Sequence, residues 1–132
     1  MRFFFIVIAI VVLDQISKQW VLAQPEWFKT FNDGIAFSLP LTGTLALVTA
    51  VILTVILFFS SLRIHPKTPL MDMGFALVIG GSLGNIIDRV QYGAVVDFIR
   101  FGTFPAFNLA DSSITIGVFL LLISFRRPSL SS

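Results

Sequence analysis

Residues 70–89 read LMDMGFALVIGGSLGNIIDR. The run is long enough to cross a bilayer, which takes about 20 mostly apolar residues. Yet it closes on an amide, a carboxylate and a guanidinium: Asn85, Asp88 and Arg89. Ionisable groups at membrane depth are costly, so each implies a partner or a function. Gly81, Asn85 and Asp88 fall at i, i+4 and i+7, hence on one helical face. Gly80 and Gly84 have the GxxxG spacing that lets helices approach closely, and packing is the simpler reading of that pattern.

Three further apolar stretches flank this one, Phe3 to Trp20, Gly43 to Leu62 and Asn108 to Phe125. Of the 132 residues, 56% are hydrophobic and 12% charged. Soluble domains carry roughly 25% charged residues, and a chain this short has too little interior to hide so much apolar surface. A water-soluble globule, a disordered chain and a nucleic-acid binder are excluded. The expectation is a single integral-membrane domain over residues 1–132. Its fold class is mainly α: a four-helix transmembrane bundle with a small extracytoplasmic β-sheet and both termini cytoplasmic. The first stretch has an alternative reading as a signal peptide, because Arg2 precedes it and Val21-Leu22-Ala23 resembles a cleavage site. Its length, with Asp14 and Lys18 inside it, favours a retained span.

Lys and Arg near the span ends set the orientation. Arg2, Arg63, Lys67, Arg126 and Arg127 fall on one side, which is read as cytoplasmic; Lys29 and Arg100 lie in loops on the other, with Lys18 and Arg89 at span ends there, a modest but consistent bias. The segments 21–42 and 90–107 then face outward. Within them, Trp27 to Asn32, the turn Asp33-Gly34 and Ile35 to Leu39 read as a hairpin, and Ala94 to Ile99 as another short strand. Trp20 and Trp27 suit the headgroup level.

With those directions, Asp14 and Lys18 in the first helix share an outer level with Asn85, Asp88 and Arg89 in the third. Asn108 and Asp111 begin the fourth helix there, and Asp97 lies in the connecting loop. Structural readings stand beside functional ones. Asp14 and Lys18, at i,i+4, pair on one face or the lysine snorkels. Arg89 bridges Asp88 or holds a substrate carbonyl or headgroup. Asn108 and Asp111 cap the fourth helix. Asp97 resists such a reading, because Val95-Val96-Asp97-Phe98-Ile99 is otherwise apolar.

The residue inventory narrows the chemistry. There is no cysteine, hence no disulfide, thiol nucleophile or thiolate-bound metal. The one histidine, His65, lies in the expected cytoplasmic loop, which disfavours a Ser-His-Asp triad and a zinc site. Carboxylates remain. Two held close share a proton, so the ionised one activates water while the protonated one polarises a carbonyl. Four aspartates allow several pairs, and spacing alone does not choose among them.

Five motifs occur in a telling order: DQISK at 14–18, NDGIAFS at 32–38, GGSLGNIIDR at 80–89, VVDFI at 95–99 and FPAFNLADS at 104–112. In that order, across nearly the whole length, the chain resembles the bacterial lipoprotein signal peptidases (signal peptidase II). The resemblance implies an aspartic endopeptidase of the cytoplasmic (inner) membrane, with no metal or other cofactor. It implies removal of the signal peptide from a diacylated prolipoprotein just before the lipidated cysteine. By motif position Asp97 and Asp111 correspond to the catalytic pair. Asp14, Asn32, Asn85, Asp88, Arg89, Asn108 and Ala110 match positions that shape or support the site, with Lys18 and Gly81 counted beside them. Expected partners are the lipidated precursor, membrane lipid and a globomycin-type inhibitor, with the chain acting as a monomer. The stretches between the first two motifs and between Asp97 and Asp111 are short for the family. A small proton-coupled transporter is the alternative, disfavoured because the second span carries no charge.

Overall fold

The computed structural model describes residues 1–34, 43–65 and 67–126. Four helices occupy them: α1 (Arg2–Leu22), α2 (Gly43–Arg63), α3 (Pro69–Tyr92) and α4 (Leu109–Arg126). All four are long and apolar enough to cross a membrane. At 1.5 Å rise per residue, 21 residues reach about 30 Å, the hydrocarbon thickness. The helices start and stop within a few residues of the expected positions, for local reasons. Thr68 caps α3 by accepting a hydrogen bond from the Met71 N–H (3.2 Å), and Pro69 takes the first turn, where no N–H is needed. Gly93 ends it at φ 71°, a left-handed position that suits glycine.

α3 is the axis of the bundle. Its two ends have different interiors. Val7, Met71, Phe75, Val78, Ile79 and Leu121 form an apolar core around its N-terminal half. Around its C-terminal half Asp14, Lys18, Asn85, Asp88, Asp97 and Asn108 are buried beside Val21, Val95, Val96 and Ala110, while elsewhere on the bundle large apolar side chains such as Phe4, Phe5, Ile8 and Phe119 face outward. Charge inside and hydrocarbon outside suit a lipid solvent, in which a polar group finds a partner only within the protein. α2 buries little beyond Ala46, Thr54 and Ser61, whose hydroxyls return to their own helix (Thr54 to the Ala50 carbonyl, Ser61 to the Phe58 carbonyl).

Glycines bring the helices together. A Cβ on Gly74 would lie 2.9 Å from Leu121 Cγ, and one on Gly117 would lie 2.7 Å from the Gly74 carbonyl oxygen. Gly80 meets Val7 and Ile10 of α1, so the packing reading of Gly80 and Gly84 holds.

Two short strands cover the polar end. β1 (Thr30–Asn32) pairs antiparallel with β2 (Val95–Asp97), in the register Thr30 to Asp97, Phe31 to Val96 and Asn32 to Val95. The strand expected over 27–32 is shorter: Glu26–Phe28 form a single 3₁₀ turn and only Thr30–Asn32 are strand, which among the described residues pairs with β2. The local pattern could not show a pairing made across some 65 residues of sequence. The expected second hairpin strand, 35–39, lies outside the described residues. After β2 the chain folds back through an Ile99–Phe107 bridge, with N–H to carbonyl distances of 2.8 and 3.0 Å, and delivers Asn108 to the start of α4.

Candidate active site

The expected polar level forms, and most of its members touch. Lys18 Nζ lies 2.7 Å from Asp14 Oδ2, 2.8 Å from Asp88 Oδ2 and 3.1 Å from Asn85 Oδ1. Asp14 and Asp88 are fully enclosed and Lys18 is 1% exposed, so the lysine does not snorkel. Both carboxylates reach beyond it to backbone. Asp14 Oδ1 accepts the Ala110 N–H (3.0 Å) in the first turn of α4, and Asp88 Oδ2 accepts the Val96 N–H (3.0 Å) in β2. Gly84 permits this, since any Cβ there would run into the Asp14 carboxylate.

Asn108 and Asp111 cap α4 reciprocally. Asn108 Oδ1 accepts the Asp111 N–H (2.8 Å), and Asp111 Oδ2 accepts the Asn108 N–H (3.2 Å). The capping reading is therefore correct, and it positions a carboxylate. Asp111 Oδ1 also accepts the Asn85 amide (2.9 Å). The Asn108 amide donates to Asp97 Oδ1 (2.9 Å), Asn85 Oδ1 (3.0 Å) and the Val96 carbonyl (3.2 Å). Asn108 thus hydrogen-bonds to both Asp97 and Asp111.

Asp97 is 2% exposed. Burial pushes its carboxyl from 3.8 up to about 7, the neighbouring Asp111 charge adds to the rise, and the Asn32 and Asn108 amides and Lys18 oppose it. A carboxyl titrating near neutrality beside a second one can hold and release a proton under physiological conditions.

The remaining expected residues are less central. Asn32 is the exception: its amide faces Asp97, while its Oδ1 accepts the Gly34 N–H (3.0 Å) in an Asx turn at the end of β1. Gly81 packs tightly on Ala110 and Ile114. Arg89 does not bridge Asp88, whose carboxylate is taken by Lys18; its Nη2 donates to the Gly34 carbonyl (3.0 Å), and its buried Nε has no partner among the described residues. One participant escaped the sequence reading. Gln15 Nε2 reaches Asp88 Oδ1 (3.0 Å) and the Gly84 carbonyl (3.2 Å). An amide inside an apolar span, next to an acid, was the signal available. Among the described residues no three His, Cys, Asp or Glu side chains converge as metal ligands would. Among the described residues His65 bonds only to the Leu62 carbonyl, at the far end of α2.

Known proteins share this arrangement of chain. The sequence pattern described as signal peptidase (SPase) II matches residues 6–127. A lipoprotein signal peptidase of Pelotomaculum thermopropionicum is 41% identical over 142 residues, spanning 96% of this chain and 93% of that one. One of Shewanella amazonensis is 36% identical over 156 residues, covering 98% and 90%. A solved structure described as a bacterial membrane enzyme, obtained in meso at 1.9 Å resolution, superposes with a TM-score of 0.83 at 30% identity, covering 97% of this chain and 94% of that one.

Proposed function

The chain belongs to the signal peptidase II family and is an aspartic endopeptidase of the lipoprotein-processing class; from that membership we propose that Asp97 and Asp111 are its catalytic pair. The observation that carries the assignment is the hydrogen bonding of Asn108 to both carboxylates, which holds one from β2 and one from α4 around a single residue. Asp111 accepts an N–H at each of its oxygens and acts as the base, while Asp97, buried in β2, carries the shared proton.

The reaction runs through these two groups. Asp111 takes a proton from water as the water oxygen bonds to the scissile carbonyl carbon, and Asp97 gives its proton to the carbonyl oxygen. The resulting diol breaks its C–N bond. The proton on Asp111 passes to the departing nitrogen, and the hydroxyl proton returns to Asp97 as the new carboxyl group forms. One water is consumed, and both carboxyls end as they began. Fixed amides from Asn85 and Asn108 hold the pair without rearrangement during the reaction.

The substrate is a diacylated prolipoprotein, cut before its lipidated cysteine, and the enzyme sits in the bacterial cytoplasmic membrane with the dyad near the outer face. Arg2, Arg63, Lys67 and Arg126 mark helix ends opposite the polar cluster, which supports cytoplasmic termini. A lipid-anchored precursor enters sideways, its acyl chains still in the bilayer. The test is incubation of a diacylated precursor peptide with wild type, Asp97→Asn and Asp111→Asn enzyme, with and without globomycin. Each variant is expected to fold and give no product; cleavage at the wild-type rate by either removes that residue from the pair.

A further inference from the structure

Lys18 does more than neutralise a carboxylate. Its ammonium has three N–H donors, and three acceptors surround it: Asp14, Asp88 and the Asn85 side-chain carbonyl. Each contact leads toward the dyad. Asp14 holds the backbone N–H of Ala110, one residue before Asp111; Asp88 holds that of Val96, one residue before Asp97. The Asn85 contact has a further consequence. An ammonium only donates, so the Asn85 atom facing it is the carbonyl oxygen, and the NH₂ is thereby turned to Asp111. Asn108 donates to the same oxygen (3.0 Å), so Lys18 is one of two donors that fix the amide, and its loss weakens that orientation.

We propose that Lys18 is a positioning residue for catalysis: it orients the Asn85 amide toward Asp111 while tying together the two carboxylates that anchor the chain just before each catalytic aspartate. The inference rests on the Asp97–Asp111 assignment. Among the described residues Lys18 donates to neither reacting carboxylate; it acts through Asn85, Asp14 and Asp88, beside the direct pull of its charge on Asp97.

The test separates positioning from mere stability. Lys18→Met alone leaves two buried carboxylates without their cation and is expected to fold poorly. The double variant Lys18→Met/Asp14→Asn keeps the cluster's net charge at −1, because one cation and one anion leave together. The asparagine side chain introduced in place of Asp14 retains an acceptor for the Ala110 N–H, and Asp88 keeps its bonds from Gln15 and Val96. A triple variant adding Asp88→Asn is the second choice should the double fail to melt cooperatively. With a diacylated precursor peptide, whichever folds is expected to lose about tenfold or more in kcat with KM within about twofold of wild type, since the lost donor acts on the transition state. A wild-type kcat in a variant that melts cooperatively overturns the proposal, as does failure of both variants to fold, which makes Lys18 a stability element. Asp97→Asn and Asp111→Asn run alongside: full activity there refutes the dyad itself, whereas inactivity there with full activity in the Lys18 variant refutes only the positioning role.

Discussion

Replacing Asp97 by Asn should change how stability depends on pH. The folded protein holds the Asp97 carboxyl at about 7, against 3.8 for the same group in water, chiefly through burial. The folded state therefore binds this proton more tightly than the unfolded chain does. The contribution is fully present below about pH 4, is lost as pH rises through about 7, and is gone above that. Moving a carboxyl from 3.8 to about 7, at about 1.4 kcal/mol per pH unit, corresponds to about 4 kcal/mol. Asn has nearly the same shape, keeps an oxygen for the Asn108 amide and carries no charge at any pH. Asp97→Asn should match wild type in stability near pH 4 and exceed it by up to about 4 kcal/mol at about pH 8. The assay is unfolding in bicelles by a denaturing detergent, run for both proteins across that pH range. Parallel curves, or a variant less stable than wild type at the alkaline end, would refute the reasoning. They would mean that Asp97 ionises in the fold without penalty and is not poised to carry a proton.

Asp14→Ala should cost about 1–3 kcal/mol of stability, because it leaves the Ala110 N–H without its acceptor in an enclosed site while Lys18 keeps Asp88 and Asn85; wild-type unfolding with lost cleavage would instead make Asp14 a participant in the reaction. Gly81→Ala forces a Cβ onto the Ala110 backbone carbonyl, where no side chain can yield, and should destabilise by about 1–3 kcal/mol and lower activity by moving the start of α4; an unchanged melting temperature would show that α3 and α4 can separate freely. A precursor without its diacylglyceryl group loses anchoring at about 0.8 kcal/mol per buried CH₂, so its kcat/KM should fall by about a hundredfold or more; equal turnover with and without the lipid would contradict the sideways entry.

Much of the site was legible before any coordinates. An acid in an apolar run stands out because hydrocarbon offers it no partner, and helix direction places such groups at one level by counting residues. Asp14 with Lys18, and Asn108 with Asp111, were readable because a helix repeats every 3.6 residues and a cap is local. Other features were not readable. Asp88 stands next to Arg89 in sequence, yet successive helical residues point apart, and Asp88 turns instead to a lysine on α1. Among the described residues β1 pairs with a strand some 65 residues away, and no local turn signal could announce that pairing. Gln15 looked like part of a motif and proved to be a contact between α1 and α3.

Composition and periodicity determined a four-helix membrane protein with aspartates gathered at one end, because the bilayer constrains span length and penalises each charge along a single chain segment. Which aspartate faces which was decided only by the packed bundle. Gly81 and Gly84 bring the helices close enough that Lys18, Asn85 and Asn108 each serve several neighbours at once. Such multiple contacts depend on the relative placement of segments far apart in the chain, and spacing along one segment carries no record of them.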